Sequence, residues 1–203
     1  MKLKITLLLS LMCLSGWSLM AQVTKSLTEI FPMNLLDQRE NLVIGVMGIG
    51  SAVHVDIDGG IKYLDACDNT VSNGELHIKI DWYNSNDEVG QILLQTISDL
   101  NVIQKDKSEF LEQEKGEIFA KGELVITHTT NKCQNAITGY TGETEYETKA
   151  RFFAFFDNKK IKIELSNKMK PEKTKEVISA IIDKIIDFDF SNYSDTITQE
   201  TYK

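Results

Sequence analysis

Apolar and polar positions alternate along most of the chain from Leu42 to Leu165, broken where the repeat lengthens to three and four residues. The clearest alternation places Leu76, Ile78, Ile80 and Trp82 against His77, Lys79, Asp81 and Tyr83, the period of a strand buried on one face. Upstream, Ala52 to Asp58 alternates, Gly59-Gly60 offers the two positive-φ residues of a tight turn, and Ile61 to Ala66 returns. That pattern predicts a hairpin with Ile57, Val55 and Val53 opposite Lys62, Leu64 and Ala66.

Downstream, Val102 to Lys105 reads as a short strand and Glu117 to His128 as a long one, with Ile118, Ala120, Leu124 and Ile126 inward and a bend at Gly122. A polar loop from Thr129 to Gly142 carries Cys133. Glu143 to Phe156 then turns at Asp157-Asn158 into Lys159 to Leu165, with Ile161, Ile163 and Leu165 inward. Two segments carry the helical repeat. Ser85 and Glu88 have capping-box spacing ahead of Val89, Ile92, Leu93, Thr96, Ile97 and Leu100, which predicts a helix from Asn86 to Leu100. Pro171 suits a first helical turn, and Val177, Ile178, Ile181, Ile182, Ile185 and Ile186 continue the period to Asp187.

The predicted fold is therefore α+β: a curved antiparallel sheet with two helices on one face, in the order strand, helix, four strands, helix, preceded by an N-terminal β-hairpin region. Trp82, Ile97, Leu124, Ile163 and Ile182 should share one core. The runs Asn101-Val-Ile-Gln-Lys-Asp106, Gly116-Glu-Ile-Phe-Ala-Lys-Gly122 and Ala150-Arg-Phe-Phe-Ala-Phe-Phe-Asp-Asn-Lys-Lys160 resemble a family of secreted bacterial domains of unknown function with a TATA-binding-protein-like fold. The resemblance spans residues 76–188 and implies the fold. It transfers no catalytic residue, and kinship of fold does not imply DNA binding.

The first residues change the picture of where this domain works. Lys2 and Lys4, the apolar run Ile5 to Leu14 and the exit toward Ala21 form a cleavable export signal, too short to span a bilayer. The organisation expected is thus a signal at 1–21, a strand and hairpin region at 22–75, the main α+β domain at 76–190 and a polar tail at 191–203. Cleavage removes two lysines and no acid, so the net charge of −8 becomes −10. A surface that acidic excludes nucleic acid and anionic membranes as partners and favours a basic protein. Cys13 leaves with the signal. Cys67 and Cys133 remain, and in an oxidising periplasmic or extracellular setting an even pair predicts a disulfide.

Three constellations invite chemistry. His54-Val-Asp56-Ile-Asp58-Gly59-Gly60-Ile61-Lys-Tyr-Leu-Asp65 has acids and a glycine at calcium-loop positions, but His54 stands where such loops need a carboxylate. Folded as a hairpin, the same residues set His54 across from Asp65 and beside Asp56, donors for a borderline metal; a solvated hairpin face with a His–Asp pair explains them better, since the zinc pattern lacks a clear third and fourth ligand and alternation alone gives the spacing. Gly45-Val-Met-Gly48-Ile-Gly50-Ser51 lacks both the spacing and the lysine of a phosphate loop. Glu143, Glu145 and Glu147, followed on one strand face by Lys149, Arg151, Phe153 and Phe155, form a candidate binding face. Paired glutamates could serve glycoside cleavage, but nothing in the sequence desolvates them. The reading that results is an exported non-catalytic binding or accessory protein of the cell envelope, in one form an immunity-type protein, needing no cofactor. The alternative is a metal-dependent hydrolase or a small-ligand-binding protein working through His54, Asp56 and Asp65.

Overall fold

Seven antiparallel strands make one sheet among the residues that the structure, a computed structural model, describes: 30, 38–48, 51–64, 71–99, 102–112, 116–119, 121–134 and 141–191. The strands are β1 (Gln38–Gly48), β2 (Ala52–Leu64), β3 (Val71–Tyr83), β4 (Glu117–Phe119), β5 (Gly122–Gln134), β6 (Thr141–Phe156) and β7 (Lys159–Asn167), in the spatial order β1-β2-β3-β7-β6-β5-β4. Among the described residues three helices, α1 (Glu88–Asp99), α2 (Val102–Leu111) and α3 (Pro171–Asp187), complete an α+β fold.

The alternation of β3 and β7 sets the architecture. Leu76, Ile78 and Ile80 lie opposite Leu165, Ile163 and Ile161, all fully or almost fully buried. Against this face packs α3, whose Val177, Ile178, Ile181, Ile182 and Ile185 are wholly buried, as the three- and four-residue spacing requires. Trp82, Leu124, Ile163 and Ile182 share the single cluster. Ile97 does not: α1 buries only Gly90 and leaves Val89 and Ile92 at least half exposed. The reason is local. A Cβ on Gly90 would sit 2.1 Å from the carbonyl oxygen of Asn84, so the helix docks by its bare backbone rather than by its apolar stripe. Its N-terminal cap is Asp87, which accepts from the Gly90 N–H at 3.0 Å, not Ser85. Hydrogen bonds from Ser51 and then Gly90 hold the Asp87 carboxyl below the ordinary carboxylate range.

Five other expectations are corrected. Gly59-Gly60 makes no turn, because β2 runs on through both glycines, paired residue by residue with β3 from Ala52 to Leu64; the N-terminal hairpin is β1–β2, reversing between Gly48 and Ala52. Val102 to Lys105 is no strand, since Val102–Leu111 is helical. The long strand from Glu117 to His128 is a hairpin, in which Phe119 pairs with Gly122 and Ile118 is 80 % exposed. Gly122 has no side chain because Phe152 and Ala154 occupy that space, 2.5 to 2.7 Å from where a Cβ would stand. Cys133 lies within β5 rather than in a loop. The helices also divide between the faces: α3 covers the apolar one, and Asp106, Lys107 and Phe110 bring α2 onto the other.

Candidate functional site: the polar sheet face

The face away from α3 carries the even-numbered side chains of β2 and β7 and the odd-numbered ones of β3 and β6, because side chains alternate along a strand and register partners share a face. Register lines these up in rows. One runs His54, Asp81, Lys160, Phe155; the next Asp56, Lys79, Lys162, Phe153, Glu123; the third Asp58, His77, Glu164, Arg151, Val125. Between β2 and β3 each row joins an acid to a nitrogen-bearing side chain. His54 Nδ1 and Asp81 Oδ1 are 2.5 Å apart, Asp58 binds His77, and Lys79 Nζ lies 3.5 Å from Asp56 Oδ2. With Nδ1 donating to Asp81, His54 keeps Nε2 for the groove.

Helix α2 roofs part of this face. Its Asp106 binds Lys160, Lys107 reaches Glu123 at 2.8 Å, and the Phe110 ring lies 6.2 Å from that of Phe153, which is thereby buried. Phe153 is thus covered by a helix rather than exposed on the candidate face. Between roof and sheet lies a groove of about 390 Å³ lined by His54, Lys79, Asp81, Asp106, Glu109, Phe110, Arg151, Phe153, Lys160, Lys162 and Glu164. It holds four acids and four permanently cationic side chains. Lys79 and Lys160 are paired with acids, whereas Arg151 and Lys162 have no ion pair among the described residues. Beside the groove, burial and then Asp81 push the Tyr83 phenol up to about 12.

The predicted site residues are dispersed. His54 lies in the groove; Asp56 stands next along the same face, tied to Lys79, with its Oδ1 buried and unpaired. Asp65 lies outside the described residues. Its neighbour Leu64 is ten residues along one continuous strand from His54, roughly 33 Å at about 3.3 Å per residue, so the hairpin that was to join them is absent. Among the described residues, no three His, Cys, Asp or Glu side chains converge as a metal site. Cys67 and the Cys133 side chain lie outside the described residues, as do the side chains of Glu143 and Glu145, whose backbone is in β6. Glu147 and Lys149 are exposed beyond the groove, Arg151 and Phe153 line it, and Phe155 is half-buried beside Lys160.

Sequence reasoning missed Lys160, Lys162, Glu164, Asp106, Glu109 and Phe110. The first three were signalled by the polar phase of β7; the others depended on reading α2 as a helix. Compared with known proteins, the chain matches no family, no curated protein and no solved structure.

Proposed function

We propose that the protein is an exported, non-catalytic binding or accessory protein of the bacterial cell envelope that seats a protein partner on the polar face of its sheet. The asymmetry between the two faces carries this reading. One is sealed by α3 over an apolar core, while the other is only partly roofed and opens a charged concave groove. Concave sites with a few convergent polar groups over an aromatic wall are the usual geometry of recognition. The surplus of acid over base supports a partner with a basic surface, recognised by charge complementarity as an immunity-type protein recognises its target. The export signal and the resemblance to secreted domains support the envelope as its place. The hydrolase alternative has less to stand on, since His54 and Asp56 already serve Asp81 and Lys79.

The test is co-purification from the native envelope. Glu109→Lys with Glu164→Lys reverses charge at the groove, and Asp183→Lys reverses it on the solvent side of α3. The same partner should come down with the wild type and Asp183→Lys and be lost with the groove variant. A partner retained by the groove variant would refute the assignment of this face.

A further inference from the structure

We infer that the groove recognises a single carboxylate carried beside an apolar body, with Arg151 and Lys162 as its cationic partners and the Phe110–Phe153 pair as its apolar wall. The inference rests on the reading of this face as the binding surface and adds the chemistry of the group that enters it. Lys79 and Lys162 are register partners on β3 and β7, so two lysines stand directly opposite one another on the same face. Like charges in that position are destabilising. Asp56 relieves Lys79, but no described side chain relieves Lys162. Next to it in the groove, Arg151 is also unpaired, although its register partner Glu164 is an acid. A chain with eight more acids than bases has carboxylates to spare, yet leaves these two cations open in the groove under α2.

The remaining lining narrows the ligand. Asp81, Asp106, Glu109 and Glu164 balance the four cations, so the groove is near neutral before anything binds. A dianionic phosphate would meet four carboxylates at close range; a monoanion suits two open cations. The arginine fork matches a carboxylate in two parallel hydrogen bonds, and Lys162 adds a point charge. Phe153, buried under Phe110, supplies a wall for an aromatic or aliphatic body. Such a carboxylate has two sources: a free organic acid, or a single acidic side chain, next to an apolar one, set within the otherwise basic surface of the protein partner, whose cations meet Glu109 and Glu164.

The experiment is an NMR titration of the full mature protein at low salt with three probes: phenylacetate, a capped Gly-Phe-Glu-Gly peptide and inorganic phosphate. Phenylacetate and the peptide should shift the amides around Arg151, Phe153 and Lys162 saturably, and Arg151→Met with Lys162→Met should weaken both at least tenfold, because both cationic contacts are lost. Thermal melts verify that the variant is folded, and Lys173→Met on α3 should leave binding unchanged. Tighter binding of the peptide assigns the carboxylate to a partner protein, and equal or tighter binding of phenylacetate assigns it to a free acid. Absence of saturable shifts with both carboxylates, indifference to the double substitution, or tighter binding of phosphate would overturn the inference. Partner capture that survives such a failure would leave the proposed function standing without this ligand.

Discussion

Replacing Lys159 with Met should destabilise the fold by about 3 kcal/mol, although the two side chains are of similar length and the residue lies on the face of the sheet away from the groove. Lys159 follows the Asp157-Asn158 turn in the inward phase of β7 and is only 8 % exposed. Its Nζ donates to the carbonyls of Ile185, Ile186 and Phe188 at 3.2, 2.7 and 2.9 Å, and lies 5.4 Å from the Phe190 ring centre. These carbonyls end α3, where the last turn of a helix has no internal donors and the dipole favours a cation. The Ile185 carbonyl keeps the Phe188 N–H at 3.3 Å after substitution, but the other two lose the lysine donor. Stranding the buried Phe188 carbonyl costs roughly 1 to 3 kcal/mol, and the part-buried Ile186 carbonyl adds a smaller penalty. Relief of the buried ammonium offsets part of that cost, and the same desolvation lowers the Lys159 pKa against the pull of Asp157, Asp189 and Asp187.

Urea unfolding of the wild type, Lys159→Met and the exposed control Lys173→Met measures the difference. The midpoint should fall with an unchanged slope for Lys159→Met only, since Lys173 offers one surface pair worth about 0 to 1 kcal/mol. The pH dependence has a definite sign. Between the lowered folded pKa and 10.5 the unfolded chain binds more protons at this site, so its contribution to stability rises with pH there, and the substitution removes that rise. A Lys159→Met midpoint equal to the control would refute the helix-capping role.

Gly122→Ala should cost about 1 to 3 kcal/mol by driving a methyl into Phe152 and Ala154, seen in a thermal melt; a change below about 0.5 kcal/mol would mean the ring moves freely. Titration by tyrosinate absorbance should show one phenol ionising near 12, absent in Tyr83→Phe and shifted downward in Asp81→Asn. Because that pKa is raised above 10.0, its stabilising contribution is complete below 10.0 and is lost as pH rises through about 12. Mature protein unfolded without reductant should yield almost no free thiol if Cys67 and Cys133 are joined, and two thiols if they are not.

Much of the sheet was legible because its apolar phase never breaks: Leu76 to Trp82, Ile161 to Leu165 and the isoleucines of α3 fall where their spacing puts them. Gly59-Gly60 misled because it is a strong local turn signal, yet Val53, Val55, Ile57, Gly59 and Ile61 continue one uninterrupted period of two, and hydrogen bonds to β1 and β3 hold the glycines extended. Residues 102–111 misled for the opposite reason. Val102 and Ile103 favour strands locally, whereas the helical face of Ile103, Asp106, Lys107 and Phe110 is half charged and is recognised only by Lys160, Glu123 and Phe153, distant in sequence. The groove inherits that difficulty, since its roof is this helix. Lys159 was legible as a lysine in an inward phase, but not the helix end it serves.

The central claim, that the polar face of the sheet is the binding surface, is tested most directly by a photo-reactive residue placed in turn at Glu109 and Glu164 beside the groove, and at Glu176 and Asp183 on the outer side of α3, in cells exporting the protein. The account predicts one common cross-linked partner from the two groove positions and none from α3. The same adduct formed from α3, or no adduct from either groove position, would contradict it.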